Sequence, residues 1–584
     1  MMLKKLAKYM KGLWGLALIS ASGMIIEAIC ELAMPSLANS IYEMVKSSSN
    51  AADTKTKVIY YGIFMFLLAL IGLAGGISTM KASAIASQKF AFRLRSDLFK
   101  KISLFSFKNI DEISTASLTT RMTNDVTMLQ NVVMMSLRIL VRVPALLIVS
   151  AFFAVQINPK MSATLLILLP IFAIIIALVL KFGFPMFQKM QKRVDNVNRI
   201  VQENLIGIRV VKAFVRENHE KKKFHNVSDA LAAQGAKASG LIVTVMPVMM
   251  LLFNVVIVLV YYNGSLDAAH GLMDVGEISV LASYIAQILM NLMMVSMMLL
   301  MLARGKACAD RVVEVLDTEI DIKNPEKPYL PNTNDVKGHI EFKNVSFKYA
   351  TQNSGDDILE NISFTANPGE VIGIVGSTGS GKSSLVNLIP RLYDVTKGAV
   401  LIDGVDVREY DIKALRDIIG VVLQKNVLFS GSIKENIRWG KQDATDDEII
   451  AACKQAQADD FIRTQPNGYD TELSQGGLNL SGGQKQRLCI ARAMIKKPKI
   501  LILDDSTSAV DTATEAKIRE SFYNELSDTT VLIIAQRISS VIDADKILVL
   551  DDGEIKGIGN HQELLENNEI YKEIYKTQQK GVLE

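Results

Sequence analysis

The chain has 584 residues, a net charge of +4 and an apolar share of 49%. This length is too great for one hydrophobic core, so several domains are expected. The small net charge argues against nucleic acid as the main partner, because proteins that bind it concentrate basic residues on one face. The spacing of the four cysteines matches no metal site, and no disulfide is expected.

Long apolar segments fill the first half of the chain. A helix of roughly 20 apolar residues crosses a bilayer. Six such segments are present, at about residues 13–33, 58–80, 137–157, 163–184, 241–262 and 278–302. The N-terminus and the two long connections between segments are rich in Lys and Arg, so the positive-inside rule places them, and the second half of the chain, in the cytoplasm. We expect an all-α transmembrane domain over residues 1–320, whose six helices extend far into the cytoplasm.

Some polar residues lie inside these apolar segments. Glu27 and Glu31 are four residues apart, hence on one face of the first helix. A carboxylate in a membrane faces a water-filled cavity or a partner. Two interpretations stay open. One is contact with a cationic substrate or a proton, and the other is pairing with a basic residue or with solvent near the outer surface. Gln287 and Asn291 in the last segment are further candidates for substrate contact. Arg142, near the inner end of the third segment, is expected to extend toward the interface.

The second half of the chain reads as a soluble α/β domain. A proline-bearing linker covers residues 321–337. Strand-like runs then alternate with helical ones over residues 338–584, which predicts a mostly parallel sheet.

Residues 376–383 read Gly-Ser-Thr-Gly-Ser-Gly-Lys-Ser and fit the phosphate-binding P-loop pattern. Its glycines let backbone N–H groups turn inward around an anion. Lys382 would reach the β- and γ-phosphates, and the Ser383 hydroxyl would bind Mg²⁺. A strand predicted at 371–375 and a helix at 384–389 flank the loop, which disfavours a chance glycine-rich turn. The predicted ATP-binding residues of this loop are Gly376, Ser377, Thr378, Gly379, Ser380, Gly381, Lys382, Ser383 and Ser384.

Several shorter motifs accompany the P-loop. Tyr349 precedes it, where the ring could stack on adenine. Gln424 follows a predicted strand at 420–423, and the apolar strand 500–504 ends in Asp504, an acid that can hold Mg²⁺. Asp511 follows that strand. A further motif consists of Leu480, Ser481, Gly482, Gly483 and Gln484. Each motif alone is weak, but the set in this order is specific.

The chain therefore resembles the ATP-binding cassette (ABC) transporters, and the exporter half-transporters in particular, over essentially its whole length. The resemblance implies two cassettes that close head to tail on ATP and Mg²⁺. Ser481, Gly482 and Gly483 would then contact the partner's ATP. It also implies that Gln424 senses the γ-phosphate and Mg²⁺, and that Asp511 communicates across the dimer. The turns near 109–117 and 210–214 would be coupling helices docking on the cassettes.

Two departures from the family pattern fall in the ATP site. The family has Glu after the Asp504 position, where it acts as general base, and this chain has Asp505. The family then has His in contact with the γ-phosphate, and this chain has Gln536. Asp is one methylene shorter than Glu, and Gln cannot carry a positive charge. Together they predict a degenerate site that binds ATP and scarcely hydrolyses it.

We interpret the chain as one subunit of a heterodimeric bacterial exporter in the cell membrane, with a second half-transporter as its partner. The resemblance favours amphipathic drugs, lipids or peptides as substrates. An active homodimeric exporter is one alternative. A membrane protein that ATP gates as a regulator or channel is an alternative of another class. The six apolar segments exclude a soluble cassette ATPase acting on nucleic acid.

Overall fold

The computed structural model describes residues 2–47, 51–157, 159–332, 335–349, 357–505, 512–525 and 528–583. The chain divides into two compact units. The membrane unit comprises Met1–Ile102 with Leu118–Asp317, and the cassette unit comprises Ser103–Ser117 with Thr318–Glu584.

Long helices build the membrane unit. Six of them contain the six predicted apolar segments and continue well beyond most of them, as the pattern of the connections predicted. The helices of this half of the chain are α1 Met2–Ala7, α2 Trp14–Ser47, α3 Ala51–Ser103, α4 Phe107–Ile113, α5 Thr115–Thr120, α6 Val126–Ile157, α7 Pro159–Ile206, α8 Ile208–Ala213, α9 Glu217–Ala269 and α10 Val275–Asp317, of which α4 belongs to the cassette unit. A π-helical stretch, Arg121–Asp125, joins α5 to α6.

Several of these helices are long and apolar enough to cross a membrane. Among the described residues, four stretches are long and apolar enough: Trp14–Ser47, Ala52–Ser103, Thr115–Ile157 and Met250–Ala269. A shorter apolar stretch covers Val275–Ile288. The boundaries 1–320, 321–337 and 338–584 that we predicted for the domains stay predictions.

Small residues let α2 and α3 pack closely. A Cβ added to Gly75 would lie 2.7 Å from the carbonyl oxygen of Gly23, so a larger residue there would push the helices apart. The buried Thr79 hydroxyl donates to the carbonyl oxygen of Ser20 over 3.0 Å. Such contacts stabilise helix pairs in lipid, where burial of apolar surface supplies little attraction. They fix the position of α2, which carries Glu27 and Glu31.

Two main sheets form the core of the cassette unit. The first is antiparallel with strand order β2-β1-β4-β5, and the second has order β12-β11-β3-β10-β9-β6. In the second sheet β12 is antiparallel, and the other five strands are parallel. The strands are β1 Ile340–Phe347, β2 Leu359–Ala366, β3 Val371–Gly376, β4 Lys397–Ile402, β5 Val405–Asp406, β6 Ile419–Val422, β7 Gly431–Ser432, β8 Glu472–Leu473, β9 Ile500–Asp504, β10 Thr530–Ile534, β11 Lys546–Asp551 and β12 Glu554–Gly559.

Helices surround these sheets. They are α11 Lys382–Leu388, α12 Ile412–Asp417, α13 Ile433–Arg438, α14 Asp446–Gln455, α15 Asp459–Arg463, α16 Gly482–Met494, α17 Thr512–Glu525, α18 His561–Asn567 and α19 Glu569–Leu583. The predicted α/β fold is therefore confirmed. Because β3, β9 and β10 are adjacent and parallel, their carboxyl ends meet at one edge of the sheet. That edge is where ligands bind in such sheets.

Candidate functional site

The P-loop connects β3 to α11, as predicted. A Cβ at Gly376 would overlap the carbonyl oxygen of Leu550, so only glycine fits this position. Gly379 and Gly381 have φ of +88° and +93°, which favour glycine because other residues strain there. The backbone therefore curls around the start of α11, where N–H groups without helical partners favour an anion.

Lys382 folds over this loop. Its Nζ donates to the carbonyl oxygens of Gly376, over 2.9 Å, and of Ser377, over 2.6 Å. Burial lowers the pKa of Lys382, while the charges of Asp504 and Asp505 act to raise it. A partly buried cation held by neutral carbonyl groups is suited to an anionic ligand, because phosphate oxygens would supply the missing charge.

Ser383 and Asp504 fit a divalent cation. The Ser383 hydroxyl donates to Oδ1 of Asp504 over 3.0 Å, and Asp504 is only 4% exposed. Burial raises the pKa of this carboxyl, and the nearby charge of Asp505 adds to the effect. A bound Mg²⁺ would offset both the burial of the Asp504 carboxylate and its repulsion from Asp505. Mg²⁺ prefers oxygen ligands such as these. Gln424, the third predicted ligand, follows β6 and is exposed.

The two departures from the family pattern touch each other. Nε2 of Gln536, just after β10, donates to Oδ2 of Asp505, just after β9, over 2.7 Å. Asp505 has a φ of +48°, and its backbone N–H donates to the carbonyl oxygen of Ile534. Nε2 of Gln486 donates to the carbonyl oxygen of Asp505 over 3.3 Å. The backbone of Asp505 is therefore held by β10 and by Gln486, which lies on the helix that starts at Gly482, and its carboxylate accepts from Gln536.

Tyr349 belongs to an aromatic group beside the P-loop. Its hydroxyl lies 3.0 Å from Oγ of Ser384, and its ring centroid lies 5.0 Å from that of Tyr393. Tyr393 donates to Oδ2 of Asp111 on α4 over 2.7 Å. Burial and this carboxylate raise the pKa of Tyr393. Tyr393 lies outside every motif, so no local pattern marks it as part of the site.

The signature motif begins a helix. The Ser481 hydroxyl accepts from the backbone N–H of Gln484, whose side chain accepts from that of Ser481, so the pair forms a capping box for α16. Ser481 and Gly482 are exposed, Gly483 is half-buried, and Leu480 is buried. The backbone N–H groups of Gly482 and Gly483 precede the first bonded N–H groups of α16, so they can face a ligand at the surface. Asp511 lies outside the described residues.

Arg142 pairs with both acidic residues of α2. Its guanidinium donates to Glu27 over 3.0 Å and to Glu31 over 3.0 Å. The expectation that Arg142 extends toward the interface was therefore wrong, because two carboxylates on one face of α2 draw it in. These three residues, which we call the membrane charge cluster, line a cavity of about 440 Å³ together with Gly72, Gly76 and other residues of α2 and α3. Their formal charge is negative.

The remaining polar candidates lie on α10. The Asn291 side chain is 5% exposed, and its Nδ2 donates to the carbonyl oxygen of Gln287 over 2.8 Å. Oε1 of Gln287 is buried without a hydrogen-bond partner among the residues that the structure describes. An unpartnered buried acceptor is costly, so this position is suited to a ligand donor.

Known proteins match both halves of the chain. The family described as ABC transporter transmembrane region matches residues 18–293, and the one described as ABC transporter matches residues 359–508. An uncharacterized ABC transporter ATP-binding protein, YfiB of Bacillus subtilis (strain 168), is 42% identical over 97% of this chain and 96% of its own. The chain belongs to the ABC transporters. A fatty acid ABC transporter ATP-binding/permease protein of Mycobacterium bovis is 36% identical over 83% of the chain and 76% of its own length.

The fold of this ABC transporter is also similar to that of a solved exporter. A bacterial Atm1-family ABC exporter, solved with ATP bound, superposes with a TM-score of 0.79 at 25% identity and covers 98% of each chain. The protein is therefore an ABC exporter of the ATP-hydrolysing family, with a helical membrane domain followed by an ATP-binding domain. It is a multi-span protein of the bacterial membrane.

Proposed function

We propose that this chain is one subunit of a heterodimeric exporter and that its own ATP site retains ATP with little hydrolysis. The contact between Gln536 and Asp505 carries the proposal. The Asp505 carboxylate is about one ångström short of the position that a Glu base would reach, and such a misplacement can cost about a hundredfold in rate. The carboxylate also accepts a hydrogen bond from Gln536, which draws it away from an attacking water.

The other residues of the site suit nucleotide binding. When bound, ATP supplies the phosphoryl group whose transfer to water drives transport, and Mg²⁺ neutralises its charge. Lys382 would exchange its bonds to loop carbonyls for bonds to phosphate oxygens. Ser383, Asp504 and Gln424 would hold Mg²⁺, and Tyr349 would contact the adenine.

A head-to-tail arrangement with a partner suits the exposed surfaces of each unit. The exposed start of α16 would place Ser481 against ATP in the partner's site, where its hydroxyl and the helix N-terminus would stabilise phosphate charge. In the membrane unit, Val210 and Phe214 at α8 are 61% and 72% exposed. Large apolar side chains at the far end of a cytoplasmic extension suit docking on a cassette.

The membrane charge cluster supports an amphipathic substrate. Two carboxylates and one guanidinium leave a net negative charge beside a cavity with apolar walls, which favours a cationic amphiphile. The relative described as a fatty acid transporter supports a lipid-like substrate instead. Cationic amphiphiles and fatty acids each have an apolar body with one polar end. Transport assays with one compound of each class distinguish the two substrates.

Two other functions are compatible with the fold. An active homodimeric exporter would use Asp505 as its base in both sites. A protein in which ATP gates a regulator or a channel would show no uphill transport. The contact between Asp505 and Gln536 favours the heterodimer over the first, and the likeness to a solved exporter favours transport over the second.

The test compares one change in each subunit of the purified complex in lipid. The change Asp505→Asn should leave most of the ATP hydrolysis, whereas replacement of the partner's general base should abolish nearly all of it. The chain expressed without a second half-transporter should hydrolyse ATP slowly. Fast hydrolysis by this chain alone, lost with Asp505→Asn, would instead establish the homodimer.

A further inference from the structure

The switch loop, which we define as residues 535–540 after β10, contacts the last described helix of the cassette unit. Oε1 of Gln578, on α19, accepts from the backbone N–H of Ile538 over 2.9 Å. Nε2 of the same side chain donates to the carbonyl oxygen of Gln536 over 2.8 Å. One amide thus holds two backbone groups on either side of Arg537.

The helix that carries Gln578 is anchored in the core. Tyr571 is fully buried, and Ile574 and Tyr575 pack against the same hydrophobic core. Positions 571, 574, 575 and 578 lie on one face, because side chains three and four residues apart are neighbours on a helix. Gln578 therefore lies on the packed face of α19, one turn after Tyr575. The packing of the helix restrains Gln578, so it has little freedom to move with the loop.

The middle of the switch loop lies between two restrained ends, since the backbone N–H of Ala535 donates to the carbonyl oxygen of Ile374 and the carbonyl oxygen of Ser539 accepts from Arg519. Gln536 and Arg537 are exposed, whereas Ile538 is 1% exposed. The side chain of Gln536 reaches Asp505, so its backbone position sets where its amide lies. Two hydrogen bonds to the loop backbone fix that position at a site where water would otherwise compete.

We propose that Gln578 is a positioning residue for this chain's ATP site. It acts through the backbone of Gln536 and so holds the Gln536 amide on the carboxylate of Asp505, at the sheet edge where β9 and β10 end. This inference rests on the proposed role of the site as one that retains ATP, since a site built for retention gains from a rigid loop. Loss of the two hydrogen bonds from Gln578 to the loop should therefore speed the release of nucleotide.

The probe is 8-azido-ATP with Mg²⁺, cross-linked in the cold to the full complex and measured on this chain after electrophoresis. Gln578→Ala should weaken labelling so that about fivefold more probe is needed, because it removes both hydrogen bonds that fix the backbone of the loop. Gln578→Glu, which keeps the size and the acceptor but cannot donate to the carbonyl oxygen of Gln536, should weaken it as well. Gln579→Ala is the matched control, since among the described residues the Gln579 side chain has one hydrogen-bond partner, Tyr575 on its own helix, and it should label as wild type does.

A double-substitution cycle identifies the route of the effect. If Gln578 acts through Gln536, the pair Gln578→Ala with Gln536→Ala should label no worse than Gln536→Ala alone. Additive losses, or wild-type labelling of both Gln578 variants, would overturn the proposal. Labelling needs only ATP binding by this chain, so the result stands apart from whether hydrolysis occurs here or in a partner.

Discussion

Nε2 of Gln536 lies 2.7 Å from Oδ2 of Asp505, so the residues that stand in place of the family's His and Glu bond to each other. They come from the ends of adjacent parallel strands, β10 and β9. Asp505 and Gln536 thus form one structural unit. Changing only one of them back to the family residue would leave its hydrogen-bond partner without a matching group.

The first prediction restores hydrolysis at this site. Asp505→Glu together with Gln536→His should raise turnover by about tenfold or more, because a correctly placed base contributes at least that factor. The measurement is ATP hydrolysis by the complex after the partner's site has been inactivated. Asp505→Asn with Gln536→His is the control and should stay inactive. No gain from the restored pair would mean that another feature limits this site.

The second prediction concerns Ser481. Ser481→Ala should cut ATP hydrolysis of the complex severalfold, since it removes a donor from the partner's site. It also removes a helix cap worth about 1 kcal/mol. Thr445→Ala removes a similar capping box from α14 and controls for that loss of stability. Equal turnover in the two variants would count against the head-to-tail sandwich.

The third prediction concerns the contact between Tyr393 and α4. Tyr393→Phe keeps the ring beside Tyr349 and removes the hydrogen bond to Asp111. ATP binding should be unchanged. Stimulation of hydrolysis by transported substrate should fall severalfold, because α4 loses a hydrogen bond that holds it beside the ATP site. Tyr410→Phe removes a buried hydrogen bond to the carbonyl oxygen of Ile402 and is the control. Full stimulation in Tyr393→Phe would assign this hydrogen bond to stability alone.

The fourth prediction concerns the membrane charge cluster. Replacing Glu27 and Glu31 by Gln would leave Arg142 without its two carboxylate partners, and an unpaired charge inside a membrane segment is unfavourable. The informative variant therefore also carries Arg142→Gln, which removes all three charges and keeps hydrogen bonding. Efflux of a cationic dye should fall, whereas ATP binding by the cassette should not. Efflux of a neutral dye and of a fatty acid serves as the comparison. Efflux of the cationic dye at the wild-type rate would show that the cluster has only a structural role.

Local pattern was enough to predict the elements around the ATP site. The apolar strand before the P-loop, the helix after it and the strand that ends at Asp504 all appear as predicted, because their signals lie within a few neighbouring residues. The six apolar segments likewise lie in long helices, since hydropathy and charge are read along the chain. The departures at Asp505 and Gln536 were visible for the same reason.

Tertiary structure alone decided which residues meet. Arg142 is far from Glu27 in sequence, and only the packing of α6 against α2 brings the charges together. Tyr393 and Asp111 belong to opposite halves of the chain, as do the elements that present them. Gln578 has no motif to mark it, and its contact with the switch loop depends on where α19 packs on the core. Sequence determined the chemistry available at each position, whereas the fold determined its partners, because side-chain contacts form between elements whose separation no local pattern encodes.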